Sequence, residues 1–370
     1  MQAIDPLGLA GLPGRPYVGV SALGAQLSLD TIPHAASRPA APAGAQDALA
    51  RLTALVAEDM AATNHLIVAR MDSPVALIPQ LAAHLVAAGG KRLRPLLTLA
   101  AARLCGHEGV RHVALAACVE FIHTATLLHD DVVDESALRR GRPSANAMFG
   151  NQPSVLVGDF LFARAFQLMV EDGNLDVLRI LSGAAATIAE GEVLQLVTQN
   201  DLGTTEAQYL QVVEGKTAAL FAAAAEVGAV VAARPAEDQA ALREYGRSLG
   251  VAFQLVDDAL DYSAEQAVLG KTVGDDFREG KITLPVLLAL ADANGPERAF
   301  WARTLERREQ TDGDMAEAQH LLARHDAVGR TIARARDYGA VAVATLDRFP
   351  DGELRRALAD TVTFAVERAH

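Results

Sequence analysis

Two aspartate clusters with the same spacing give the strongest chemical signal in the chain. In each cluster two adjacent aspartates are followed by a third, three positions later; the six residues are Asp130, Asp131, Asp134, Asp257, Asp258 and Asp261. On a helix the first and last carboxylates of a cluster lie one turn apart and about 40° apart around the axis. Both can then reach the same cation.

The neighbours of these aspartates are apolar. Leu127, Leu128, Val132 and Val133 surround the first cluster, and the second lies in a similar segment. Close carboxylates in apolar surroundings repel one another and resist desolvation unless cations are bound. One cluster alone would fit a solvated helix face equally well, but its recurrence favours a shared metal site. Mg²⁺ fits best, because it completes its oxygen shell with water and substrate phosphates.

Basic side chains accompany the clusters. The segment 89–95, Gly-Gly-Lys-Arg-Leu-Arg-Pro, predicts the end of one helix and the start of another near Pro95. Lys91 and Arg94 would then lie at a helix N-terminus, where an anion can bind without metal. Arg139 and Arg140 are predicted two turns beyond the first cluster, on the same continuing helix, where they could bind phosphates held by the metals.

Three further lysines directly follow glycines: Lys216, Lys271 and Lys281. Two of them lie in Gly-Lys-Thr, which resembles part of a nucleotide-binding P-loop. The earlier glycine that a P-loop requires is Leu210 in one case and Glu265 in the other, so the sequence argues against an ATP site.

The elements that must position these groups are predicted to be helices. From residue 46 to residue 370, apolar residues recur at spacings of three and four between short Gly, Pro, Asn and Asp breaks. Many segments are apolar all round, which is typical of helices inside a bundle. The fold is therefore predicted to be all-α, with one large helical domain. Residues 1–45, rich in Pro, Ala and Gly, are predicted to form a mobile extension.

Composition excludes several classes of protein. The chain has 370 residues, 51% of them hydrophobic, which is enough for a large core. Its two cysteines, Cys105 and Cys118, lie in apolar stretches and do not suggest disulfides or a zinc site. A net charge of -13 argues against nonspecific nucleic-acid binding. No uninterrupted apolar run reaches the roughly 18 residues of a transmembrane span, so a cytoplasmic location is expected.

Taken together and in order, these motifs resemble the trans-isoprenyl diphosphate synthase family. The resemblance extends from about residue 46 to the C-terminus and implies a helical bundle around a deep central cavity, usually as a homodimer. It implies that isopentenyl diphosphate is added to an allylic diphosphate with about three Mg²⁺ ions bound through the six aspartates. The residues implied for isopentenyl diphosphate are Lys91, Arg94, His123 and Arg140, and those for the allylic diphosphate are Arg139, Lys216, Thr217, Gln254 and Lys271.

Residues before the first cluster bear on product length. Thr126 and Ala125 precede Asp130 by four and five positions, and both are small. In short-chain members of the family a bulky aromatic at one of these positions stops growth early. The resemblance therefore implies a long product, octaprenyl to decaprenyl, for a quinone side chain. Phe121, one turn further from the cluster, could narrow the cavity or pack between helices, and packing is the prediction.

Other functions remain open from sequence alone. A metal-dependent phosphohydrolase could use His129 and Asp130, but that leaves the second cluster and the basic segment without roles. A class I terpene cyclase would carry an Asn/Ser/Glu pattern at its second metal site. A regulatory subunit would have lost aspartates or basic residues, and a shorter-chain synthase would differ only in its product. A lipid-like product would also favour peripheral contact with a membrane.

Overall fold

The computed structural model describes residues 43–88, 90–139, 141–262 and 274–367. Within these ranges every regular element is a helix apart from one short hairpin, which confirms the all-α prediction. Residues 1–42 of the predicted mobile extension lie outside the described residues. The predicted boundary between the extension and the helical domain, after residue 45, stays a prediction.

The elements follow one another with short connections. They are α1 (Ala43–Leu55), α2 (Ala57–Arg70), α3 (Leu77–Ala88), α4 (Leu93–Leu104), α5 (Arg111–Val133), β1 (Leu138–Arg139), β2 (Arg142–Pro143), α6 (Ala145–Phe149), α7 (Asn151–Asp172), α8 (Leu175–Thr198), α9 (Glu206–Val213), a π-helical turn (Glu214–Ala218), α10 (Ala219–Val231), α11 (Ala236–Asp261), α12 (Asp275–Glu279), α13 (Leu284–Asp292), α14 (Gly295–Trp301), a second π-helical turn (Ala302–Glu306), α15 (Asp314–Arg324), α16 (Ala327–Thr345), a 3₁₀ turn (Leu346–Arg348) and α17 (Glu353–Glu367).

Helix α10 lies at the centre of the bundle. Every residue from Leu220 to Val231 except Ala222 is buried, as expected for a segment that is apolar apart from Glu226. Around it pack α4, α5, α8 and α11, so that the two helices carrying the aspartate clusters, α5 and α11, both contact α10. The central helix thereby fixes the position of one cluster relative to the other.

Close backbone contact holds α11 against its neighbours. A Cβ added to Gly246 would lie 2.3 Å from the carbonyl oxygen of Phe221, and one added to Gly250 would lie 2.7 Å from the Cα atom of Ala218. Real Cβ atoms do not approach so closely, so only glycine permits this packing. The second cluster is carried at the C-terminal end of this tightly packed helix.

Three helices, α5, α7 and α8, are long and apolar enough to cross a membrane, judged by length and composition alone. The sequence prediction required a run without charged residues and therefore missed them. In the fold, 56% of the most apolar stretch of α5 is buried, against 39% for α7 and 28% for α8. Helix α5 is thus a core helix, whereas α7 and α8 also present apolar side chains at the surface.

Candidate active site

The first aspartate cluster lies at the C-terminal end of α5. Asp130 is in the last turn, and the backbone N–H of Asp134, just after the helix, donates to the carbonyl oxygen of Asp130 at 2.8 Å. The helix stops because Glu135 adopts a positive φ of 50°, which no helical residue can have. The first cluster therefore lies where α5 ends, with two aspartates in the last turn and the third just after it.

The prediction that Arg139 continues the α5 helix is wrong. The chain instead forms the β1–β2 hairpin, in which Leu138 pairs with Pro143, and the turn passes through Gly141 at φ 75°. Glycine adopts this conformation without steric cost, which permits the reversal. The hairpin turns Arg139 back towards the cluster, where its Nε donates to Asp131 Oδ1 at 2.7 Å.

The three aspartates of this cluster have different surroundings. Asp131 is almost fully buried and bound to Arg139. Burial raises the pKa of Asp130 to about 7; Lys216 opposes the rise, and Glu192 and Asp134 add to it. The charge of Asp130 near neutral pH therefore depends on a bound cation.

The second cluster ends α11, and its middle carboxylate is the most buried. Asp258 accepts a hydrogen bond of 2.5 Å from the Tyr209 hydroxyl and one of 2.7 Å from Gln254 Nε2. Burial raises the pKa of Asp258 well above its usual value, and Asp276 adds to the rise, while the two hydrogen bonds oppose it. Sequence reasoning missed Tyr209, because a single tyrosine in a helix carries no motif signal.

Asp261 attaches α12 to the end of α11. Its Oδ2 accepts from the backbone N–H of Asp276 at 3.0 Å, and its carbonyl oxygen accepts from Gly274 N–H at 2.8 Å. This contact brings another acid, Asp276, next to the second cluster. Asp257, the remaining member, is half-buried.

The first π-helical turn connects the two clusters. It carries Lys216 and Thr217, and π turns change the direction in which side chains leave a helix. Lys216 Nζ lies 4.0 Å from Asp130 Oδ2 in the first cluster. The Thr217 hydroxyl donates at 2.8 Å to Gln254, which in turn holds Asp258 in the second. The predicted residues Lys216, Thr217 and Gln254 are thus brought together.

Lys281 makes a second connection. Its Nζ lies 3.5 Å from Asp134 Oδ2, 4.0 Å from Asp276 Oδ1 and 2.5 Å from Glu279 Oε2. Burial acts to lower the pKa of Lys281, but the surrounding acids outweigh it and raise the pKa above its usual range. Lys281 is therefore charged and joins the two halves of the site. The sequence marked it as a basic candidate without a role.

Two of the residues predicted to bind isopentenyl diphosphate are neighbours. Arg94, in the first turn of α4, has its Nη1 3.2 Å from His123 Nε2, and its guanidinium lies 4.4 Å from the centre of the Phe221 ring. Lys91 precedes α4 and lies 5.0 Å from the centre of the Phe364 ring. The predicted site residues Arg140 and Lys271 lie outside the described residues.

The residues considered for product length are on α5. Phe121 and Ala125 are completely buried in the core, which suits a packing role for Phe121. Thr126 is half-buried, and its hydroxyl donates to the carbonyl oxygen of His123 at 2.8 Å. Thr126 therefore faces less crowded surroundings than Ala125.

His129 does not join the aspartates. Its Nε2 lies 3.1 Å from the carbonyl oxygen of Val155 and 3.5 Å from Asp159 Oδ1, both on α7, and its ring stacks on Phe162. A phosphohydrolase would need His129 and Asp130 on one metal ion. The contacts of His129 with α7 argue against that alternative.

The donor set fits ions that share their coordination with a substrate. Among the residues that the structure describes, no three Asp, Glu, His or Cys side chains converge closely enough to hold a metal by themselves. The carboxylates instead form two groups joined through lysines, and the acids supply oxygen donors. Mg²⁺ binds in this way when phosphate oxygens and water complete its shell.

Known proteins are similar to this chain in sequence and in fold. The polyprenyl synthetase family model matches residues 75–322. Octaprenyl diphosphate synthase from Escherichia coli is 48% identical over 323 residues, covering 86% of this chain and 99% of the relative.

Two solved structures have the same fold. A decaprenyl diphosphate synthase from Rhodobacter capsulatus has a TM-score of 0.84 and 55% identity, covering 87% of this chain and 99% of its own. A polyprenyl synthase from Caulobacter crescentus CB15, solved with calcium and isoprenyl diphosphate, has a TM-score of 0.84 and 54% identity, covering 87% and 98%. With its paired aspartate clusters and helical bundle, the chain belongs to the polyprenyl synthetase family.

Proposed function

We propose that this chain elongates an allylic diphosphate with isopentenyl diphosphate and makes an all-trans polyprenyl diphosphate of octaprenyl to decaprenyl length. The observation that carries the proposal is the linkage of two aspartate clusters by Lys216 and Lys281, in a chain 48% identical to an octaprenyl diphosphate synthase. Such a product would supply the side chain of a quinone.

The first chemical step separates charge, and the site is built to stabilise the leaving group. Mg²⁺, about three ions with substrate bound, would neutralise the diphosphate as it departs. All six aspartates are proposed to serve these ions. Asp131 and Asp258, which already accept hydrogen bonds from neighbouring side chains, would mainly fix the geometry. Arg139, Lys216 and Lys281 would donate to the phosphate oxygens.

The second step joins the two substrates. Arg94 and His123, with Lys91 and Arg140, would hold isopentenyl diphosphate without a metal ion. Its double bond attacks the allylic carbon, and the departing diphosphate accepts the proton that is lost. No protein nucleophile is required, and no proton-transfer role is assigned to His123 or His129. Exclusion of water protects the cationic intermediate.

We further propose a homodimer formed through α7 and α8. These helices expose large apolar side chains that a monomer would leave in water: Val155, Leu156, Phe166, Val170, Leu175, Val193, Leu196 and Val197. Contiguous exposed apolar surface commonly marks an interface between subunits. A cytoplasmic dimer that contacts a membrane only peripherally would suit a product with a long hydrocarbon tail.

The test is a product assay. Purified protein is incubated with Mg²⁺, farnesyl diphosphate and labelled isopentenyl diphosphate, and the dephosphorylated products are separated by chromatography. Products of about eight to ten prenyl units, absent when a chelator is added, support the proposal. A product that stops at geranylgeranyl length would favour the shorter-chain alternative. Release of phosphate from nucleotides without chain growth would contradict the proposal.

A further inference from the structure

Helix α8 and the first π-helical turn cross with their backbones in contact. A Cβ added to Gly191 would lie 2.6 Å from the backbone nitrogen of Lys216, and one added to Gly215 would lie 2.9 Å from the Cα atom of Gly191. Only glycine permits so close an approach. Glu192 directly follows one glycine and Lys216 directly follows the other, so their side chains leave the crossing side by side.

At this crossing Lys216 lies between two acids and contacts one of them. Its Nζ is 2.7 Å from Glu192 Oε2, an ordinary length for a charge-assisted hydrogen bond, and 4.0 Å from Asp130 Oδ2, beyond hydrogen-bond distance. All three side chains are largely shielded, with exposures of 23% for Lys216, 26% for Glu192 and 15% for Asp130. The lysine is therefore bound to Glu192 rather than to the metal-site aspartate.

We propose that Glu192 is a positioning residue that holds Lys216 away from Asp130, which leaves Asp130 available to a divalent cation and the remaining N–H groups of Lys216 available to a diphosphate. An ammonium group has three donors, so one bond to Glu192 leaves two. Without Glu192, Lys216 would move the short distance to Asp130 and compete with the cation for it. The inference rests on the proposed function, because it assigns both groups to one metal–diphosphate complex.

A simple charge effect predicts the opposite result. Glu192 is an acid close to a site for an anion, so its negative charge should repel a diphosphate. If charge alone mattered, Glu192→Gln would tighten diphosphate binding. If Glu192 positions Lys216, the same change weakens the binding of both metal and diphosphate, and the sign of the effect on diphosphate binding distinguishes the two explanations.

The matched control is Glu190→Gln, which removes the same charge from an exposed position on the same helix. Binding of Mn²⁺ alone is measured by the electron paramagnetic resonance of the free ion. Binding of inorganic diphosphate with and without Mg²⁺ is measured by calorimetry. For Glu192→Gln we expect both affinities to fall about tenfold, the scale of one charged hydrogen bond, and for Glu190→Gln we expect no change.

Steady-state kinetics add a second readout. The KM for the allylic diphosphate should rise in Glu192→Gln while the KM for isopentenyl diphosphate stays unchanged, because Arg94 and His123 lie on α4 and α5 and not at the crossing of α8 with the π turn. Glu192→Asp keeps the charge but shortens the side chain by one methylene, so it should also weaken binding. If Glu192→Gln does not fold, the same binding measurements are made on Glu192→Asp.

The possible results distinguish failure of the positioning role from failure of the proposed function. Unchanged or tighter binding in Glu192→Gln, or wild-type binding in Glu192→Asp, overturns the positioning role while the proposed function stands. Wild-type protein that binds no diphosphate in the presence of Mg²⁺ overturns the proposed function and this inference with it.

Discussion

Asp130 is largely shielded and Asp258 is buried, and their charges are compensated differently. Asp258 accepts two hydrogen bonds from neighbouring side chains, whereas the ammonium of Lys216 remains 4.0 Å from Asp130. Burial raises the pKa of both acids, that of Asp258 well above its usual value and that of Asp130 to about 7. Near neutral pH a cation at Asp130 must therefore displace a proton.

The first prediction concerns the pH dependence of metal binding. Because Asp130 must be deprotonated to bind a metal, the affinity for Mn²⁺ should fall below pH 7, by at most about tenfold per pH unit for one proton. Mn²⁺ titrations at several pH values between about 5.5 and 8.5, with calorimetry in buffers of different ionisation enthalpy, would show the proton release. Asp130→Asn should bind Mn²⁺ more weakly, and with a smaller pH dependence than the wild type, because Asp258, whose pKa is also raised, remains.

The same shift has a consequence for stability. A raised pKa means that the folded protein binds this proton more tightly than the unfolded chain does. In the metal-free protein, the contribution of Asp130 to the free energy of unfolding is fully present at low pH and is lost as pH rises from about 4 to about 7. Mg²⁺ should therefore stabilise the protein more at pH 8 than at pH 6, and equal stabilisation would contradict the assignment.

The second prediction concerns Tyr209. Tyr209→Phe removes the hydroxyl that donates to the buried Asp258 carboxylate, so the free energy of unfolding should fall by about 1–3 kcal/mol. Chemical denaturation measures this loss. The control is Tyr338→Phe on α16, a half-buried tyrosine whose hydroxyl has no side-chain partner among the described residues. A similar loss in both variants would mean that the bond to Asp258 contributes little.

At the scale of elements, the sequence predicted helices well and their ends less well. The periodic apolar residues of α5 and α11 identified the helices that carry the clusters. The helix end at Val133 was missed, because glutamate as a residue type gives no signal for the positive φ that Glu135 adopts. The π turn at Lys216 was missed for a similar reason, since a single inserted residue does not disturb the apolar pattern.

The third prediction concerns product length and the α5 helix. Thr126→Phe and Ala125→Phe should both shorten the product, because a phenyl ring would enter the path of the growing tail. Ala125 is fully buried, so Ala125→Phe should also lower the free energy of unfolding by about 1–3 kcal/mol through overpacking. Thr126 is half-buried and gives the cleaner test.

The control for product length is Thr124→Phe. It adds the same ring on the same helix, but about 160° around the axis from Thr126. Chromatography of the products should show an unchanged chain length for Thr124→Phe. If Thr126→Phe also left the length unchanged, this face of α5 would not contact the tail.

At the scale of the whole molecule, the site depends on contacts between residues far apart in sequence. The aspartates and most of the basic residues could be identified from the resemblance to the trans-isoprenyl diphosphate synthase family, because they lie in recognisable motifs. The resemblance could not identify Glu192 or Tyr209, or assign Lys281 a role, because each acts through a partner on another element. Pairing between separate helices is fixed by packing around α10, which a single sequence does not reveal.

The fourth prediction concerns assembly. Phe166→Glu places a charge on the exposed apolar face of α7, so the proposed dimer should dissociate into monomers. Sedimentation velocity measures the change. The control, Val110→Glu, introduces the same charge at an exposed apolar residue before α5 and should leave the dimer intact. A wild-type protein that sediments as a monomer would refute the dimer.

The glycine crossing between α8 and the π turn makes the site sensitive to a position that bears no side chain. A methyl group at Gly191 would push the two backbones apart and separate Glu192 from Lys216. At Gly183, on the same helix, a Cβ would meet nothing within 4 Å, and alanine there should instead stabilise the helix by about 1 kcal/mol. In a screen of all substitutions along α8, tolerance should therefore be low at Gly191 and high at Gly183, and a functional Gly191→Ala would show that the two backbones can move apart.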